Sequence, residues 1–214
     1  VLVFDILGWI AAGFGMSAAV PQLVRLWRTG VSAGLSVLMW QITAGTTAAW
    51  AAHAFWVGAV QMQVPNLVCA SLAVAILWFI ARDRGTSFLR SLWLPAVSGV
   101  LLFGLDLWLG AVVFGLVMSL PSAYAQFSQF QFMRRSPDLS GISVPTLLVM
   151  MVCQVCWVVW AFGVTERAMM VTATVMLVLC TLNVAYYLQR RLRGTAGPVA
   201  AVVEMAPGGI EAVA

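Results

Sequence analysis

Apolar residues run along this chain in long stretches, broken at intervals by short clusters of Gly, Pro, Gln, Ser and Arg. The stretches cover about residues 4–26, 36–57, 62–81, 91–105, 107–132, 143–164 and 168–188. Crossing a bilayer as a helix takes about 20 apolar residues, so the pattern predicts seven transmembrane helices. The fourth is expected to be short and to carry Pro95 and Gly99. From Arg190 the chain turns basic and then rich in Gly, Ala and Pro, and residues 189–214 are expected to form a disordered cytoplasmic tail.

One polar break occurs twice. Residues 21–36 read PQLVRLWRTGVSAGLS and residues 128–143 read SQFQFMRRSPDLSGIS. Gln22, Arg28, Gly34 and Ser36 thus return 107 residues later as Gln129, Arg135, Gly141 and Ser143. A fixed offset of this length points to a duplicated unit. The first unit spans residues 4–81, a loop and linker helix residues 82–106, and the second unit residues 107–188. Each unit has an odd number of crossings. An extra helix between them lets both enter the membrane the same way up, which makes the repeats parallel.

Composition strengthens the membrane reading. Hydrophobic residues are 63% and charged residues 8% of 214, against about 25% charged in soluble domains. All eleven basic residues are arginine. With seven crossings, Arg25, Arg28, Arg82, Arg84, Arg90, Arg134, Arg135, Arg190, Arg191 and Arg193 fall on one side and only Arg167 on the other. The excess of cations on cytoplasmic loops then sets the N-terminus outside and the C-terminus in the cytoplasm of a multi-pass cell (inner) membrane protein. Arginines at the ends of apolar runs suit lipid headgroups and give no nucleic-acid surface. The first run has no basic segment before it and no clear cleavage site, so it is read as a permanent helix.

Polar groups inside the apolar runs mark candidate sites. Pro21, about 27 Å along the first helix at 1.5 Å per residue, is expected to kink it near the cytoplasmic face, with Gln22 beside it. Hinge and passive kink are both open for Pro21. Asn66 needs a partner or a wet cavity, since burying a bare amide costs roughly 2–7 kcal/mol. A helix–helix hydrogen bond would serve as well as a solute. Trp50 could stack on a flat apolar face or anchor at the interface. His53, the only histidine, shares its face and is either a proton relay or an interhelical bond. In the second unit Trp157 matches Trp50, Trp160 replaces His53, and Ala173 stands for Asn66, with Thr172 and Thr174 flanking it. Gln126 and Gln129, one turn apart in the fifth helix with Tyr124, could line a pore or join helices. Cys153 and Cys156 form a CxxC inside an apolar helix, where small core residues outweigh redox chemistry. No metal or cofactor is expected, and no acid–base set for an enzyme converges.

The pattern resembles the PQ-loop family, and within it the SWEET-type sugar transporters. Pro21-Gln22, Arg28-Thr29, Gly34-Leu35-Ser36, Trp50 and Asn66 carry the likeness. The resemblance implies two three-helix bundles around a central path with alternating access. It implies that Trp50, Asn66 and Trp157 line the pocket and that Pro21 is a hinge; Thr174 and His53 are added as candidates for the pocket, and Gln22, Gln129 and Pro121 for the gate, from their positions. The expected activity is facilitative transport of a small polar solute, most simply a sugar. The expected partners are that solute, the bilayer and possible homo-oligomer copies of the chain. Alternatives on the same fold are a proton-coupled, cystinosin-like amino-acid carrier and a receptor or sorting protein that does not transport. Asp5, Asp106, Asp138 and Glu166 lie at helix ends and only His53 lies deep, which favours a uniporter.

Overall fold

In the computed structural model, residues 2–17, 19–139 and 142–193 are described, and all regular structure among them is helical. The elements are α1 (Leu2–Ser17), α2 (Val20–Thr29), α3 (Val37–Val57), α4 (Val60–Asp83), α5 (Phe88–Leu109), α6 (Ala111–Arg135), α7 (Val144–Val164) and α8 (Arg167–Leu192). Six segments are long and apolar enough to span a membrane, α1 with α2 counting as one. Helix α3 has spanning length but is less apolar, because it carries Gln41, three threonines and His53. Thr43, Thr46 and Thr47 return their hydroxyls to carbonyls one turn back at 2.7–2.9 Å, which satisfies them inside an apolar layer.

Three boundaries differ from expectation. The first run is not one kinked helix: it breaks between α1 and α2, and Pro21 stands in the first turn of α2. Proline costs nothing there, since the first-turn N–H has no intrahelical acceptor. The fourth run is a full-length helix of 22 residues, and Pro95 lies within it. Helix α8 also reaches Leu192, so the basic segment after Arg190 begins as helix. Gly141 and residues 194–214, to which the disorder expectation applied, lie outside the described residues.

The repeated Gly-x-Ser has a local physical role. Ser36 caps α3 by accepting from the Met39 N–H at 3.2 Å, and Ser143 caps α7 by accepting from the Thr146 N–H at 3.4 Å. Each serine cap fixes where the helix that follows it begins. The loop before α3 is fastened from the end of α4. Asp83 accepts from the Ser32 N–H at 2.7 Å, and Arg84 donates to Ser32 Oγ and to the Ser32 and Leu35 carbonyls at 2.7–3.1 Å. At the end of α8, Arg190 donates to the carbonyls of Met133, Ser136 and Pro137 at 2.7–3.2 Å.

Packing follows one order in both halves. Helix α4 packs on both α1 and α3, and α8 packs on both α6 and α7. Around the bundle α5, α3, α4, α1, α7, α8 and α6 each touch the next, and α6 returns to α5. Small residues allow the close seams. A Cβ on Gly45 would strike Ser98 Oγ and stand 3.1 Å from the Pro95 carbonyl, and one on Gly115 would strike the Ala168 backbone. Leu26, Trp40, Ala73, Ile76, Leu77 and Ile80 form a core within the first half, near the arginine-rich ends of α2 and α4. A second core joins the halves at the opposite end: Ala54 and Met62 meet Trp160, Ala161, Met169 and Ala173.

Candidate functional site

Because α6 and α7 both lean on α8, a groove remains between them, and its polar side chains face it. Two adjoining cavities occupy this region. The first, about 300 Å³, is lined by Trp50 of α3, by Ser122 and Gln126 of α6, by Gln154 and Trp157 of α7, and by Thr172 of α8, among others. The second, about 500 Å³, continues to Asp138, Leu139, Ile142 and Ser143 at the arginine-rich end and includes Gln129, Thr146 and Asn183. Ala125, Gln126 and Met150 border both. The volumes fall within the ~300–1,000 Å³ usual for small-molecule sites.

Trp50 and Trp157 stand half-buried on the same cavity, one from each half of the chain. Their rings are fixed from behind. Trp50 meets Phe114 edge-on at 4.9 Å between centroids, and Trp157 meets Trp160 at 5.5 Å. Gln154 and Gln126 bring amides to the wall, and each amide both donates and accepts. Thr172 also lines it, with its hydroxyl donated to the Gly115 carbonyl at 2.8 Å. No charged side chain lines this first cavity among the described residues.

The other anticipated residues are spread more widely. Asn66 is half-buried and donates to the Met62 carbonyl of its own helix at 2.8 Å; it does not border either cavity. Thr174 is exposed, two residues and about 200° of helix turn from Thr172. Gln129 lines the second cavity. Pro121 borders a separate apolar cleft between α3, α5 and α6. Pro21 is exposed, and the Gln22 amide oxygen accepts from the Arg25 guanidinium at 3.2 and 3.3 Å.

His53 is fully buried near the end of α3 and does not touch the cavities. Its Nδ1 lies 2.6 Å from Asp106 Oδ2 and its Nε2 lies 3.0 Å from Glu166 Oε1. The two carboxylates, treated as helix-end groups on sequence grounds, are therefore buried on the imidazole. The three positions sit at one depth: His53 is four residues from the end of α3, Asp106 three from the end of α5, and Glu166 immediately precedes α8. The carboxylates flank the ring on opposite nitrogens and do not converge on a point that could hold a metal.

Asn183 of α8 also stands at the site. It is buried on the second cavity and donates to Gln126 at the backbone oxygen (3.1 Å) and side-chain oxygen (2.7 Å). Its own amide oxygen has no hydrogen-bond partner among the described residues. A signal existed in the spacing, since an asparagine within an apolar run of this depth needs a partner.

No protein-family model matches the chain, and no curated protein matches it either.

Proposed function

We propose that this protein is a membrane carrier that moves a small, neutral, polar solute by alternating access, with the arginine-rich end in the cytoplasm. One observation carries the reading. A cavity bounded by Trp50 and Trp157 continues through amide-lined space to the arginine-rich end, while the opposite end is filled by side chains from both halves. That is the form of a carrier facing inward. Tipping the halves about their packed seams would close the inner space and part the outer core.

The lining speaks to the solute. Gln126, Gln154 and Thr172 suit hydroxyl groups, and indole faces suit the C–H face of a sugar ring. An uncharged first cavity gives an amino-acid zwitterion no counter-charge, so a sugar is favoured over an amino acid. The resemblance to SWEET-type carriers supports the same choice, and the shared order of packing in the two halves supports the carrier fold. In this reading the two halves are parallel three-helix units, and α5 is the helix that lets both enter the membrane alike.

The test is uptake of radiolabelled monosaccharides, disaccharides and neutral amino acids into liposomes holding the purified protein. Saturable uptake of a sugar that falls at least tenfold in Trp50→Ala and Trp157→Ala supports the proposal. Binding of a solute with no flux would make the protein a receptor instead.

A further inference from the structure

The His53 cluster joins three parts of the chain. His53 belongs to α3, Asp106 to α5, and Glu166 caps α8. The imidazole lies against the Phe114 ring at 5.0 Å and meets the edge of Trp50 at 5.8 Å. All three ionisable groups are buried.

The hydrogen-bond chemistry fixes how many protons this cluster holds. An ionised carboxylate only accepts, and a neutral imidazole has one N–H. If the ring were neutral and both acids ionised, one ring nitrogen would turn its lone pair on a carboxylate oxygen at 3.0 Å or less. Glu166 accepts hydrogen bonds at both carboxylate oxygens. Its Oε1 accepts from the Ala168 N–H at 3.0 Å and its Oε2 from the Met169 N–H at 2.6 Å, at the positive end of α8. It takes the Nε2–H. The remaining contact, Nδ1 to Asp106 Oδ2, then holds a second proton, on the ring or on the acid. Either way the cluster carries one net negative charge.

We propose that this cluster is a proton-binding site coupled to the outer end of the carrier. It binds one proton as α3, α5 and α8 close together, and gives that proton to water as they part. Release takes the cluster from one negative charge to two and leaves a bare ring nitrogen facing Asp106. In a buried setting that repulsion is weakly screened, so the deprotonated cluster favours parted helices. Other charges around it are few. Arg167 follows Glu166 and lines the same outer recess, and Asp5 of α1 accepts from Gln61 of α4 at 2.9 Å. Helices α4, α5 and α6 carry their arginines at the far end, and α7 has no charged residue. The meaning of this site rests on the carrier reading; its proton does not.

The test uses the single histidine. Protein made with ¹⁵N-histidine, free of a polyhistidine tag and placed in lipid nanodiscs, gives one imidazole in the nitrogen NMR spectrum. Backbone hydrogen exchange of residues 54–62 and 161–170, corrected for intrinsic rate, reports the outer end. From about pH 5 to about pH 9, both ring nitrogens should begin protonated or hydrogen-bonded, and one should become bare. Over the same range the two segments should lose protection about tenfold or more. His53→Gln should flatten that dependence. Asp106→Asn, which keeps the side-chain shape, should move the ring's titration to lower pH. A bare, unbonded ring nitrogen at every pH, or protection that ignores the ring's titration, would overturn the proposal. Neither readout needs a solute, so failed sugar uptake would sink the carrier reading while leaving this result standing.

Discussion

Asn183 of α8 donates to Gln126 of α6 through both the side-chain and the backbone oxygen, at 2.7 and 3.1 Å, beside the space where the two cavities meet. The pair holds the Gln126 side chain at the boundary between the two cavities. It also leaves the Asn183 amide oxygen without a hydrogen-bond partner among the described residues. Asn183→Leu should raise the KM for the transported solute about tenfold, the effect of ~1.4 kcal/mol of lost polar contact. Concentration-dependent uptake in liposomes reads this directly, and an unchanged KM would remove Asn183 from the path.

Arg84 and Arg190 each tie a loop at the arginine-rich end through carbonyl oxygens. A guanidinium fork does this with fixed geometry, which an ammonium lacks. Arg84→Lys and Arg190→Lys should each lower stability by about 1–2 kcal/mol, seen as a lower midpoint in thermal unfolding in detergent.

Gly45 and Gly115 stand where neighbouring backbone and side chains leave no room for a Cβ, whereas Gly13 and Gly104 face open space. Gly115→Ala should destabilise by about 1–3 kcal/mol through overpacking. Gly104→Ala should leave thermal stability unchanged or slightly raised, because helix propensity favours alanine by up to about 1 kcal/mol. Equal effects at the two sites would contradict the packing described for α6 and α8.

Pro21 opens α2 beyond the break that ends α1. If that break is the joint at which the inner end bends, Pro21→Ala should allow a continuous helix and slow transport. Stability should be unchanged or raised by about 0.5–1.5 kcal/mol, since the N–H restored at position 21 can join that continuous ladder. Uptake rate and unfolding midpoint, measured on one preparation, separate the two effects.

The apolar helices were legible because apolar length is a local signal. The Gly-x-Ser echo was legible for the same reason, and its serines act as helix caps. The break before Pro21 was not, since alanine and serine continue an apolar run without marking its end. The choice between Thr172 and Thr174 turned on two residues of helix phase. The contacts of His53 with Asp106 and Glu166 cross 53 and 113 residues of chain. Nothing in either local segment announces such a contact, although all three residues lie within about one turn of helix ends that share a side.

The most direct test of the carrier reading is counterflow. Liposomes holding the protein are loaded with an unlabelled sugar that the uptake screen identifies, then diluted into a trace of the same sugar bearing a radiolabel. Alternating access predicts a transient overshoot of label inside, because the site returns loaded in each direction. The overshoot should vanish in Trp157→Ala. Label that only drifts to equilibrium, with no overshoot in the unaltered protein, would contradict the account.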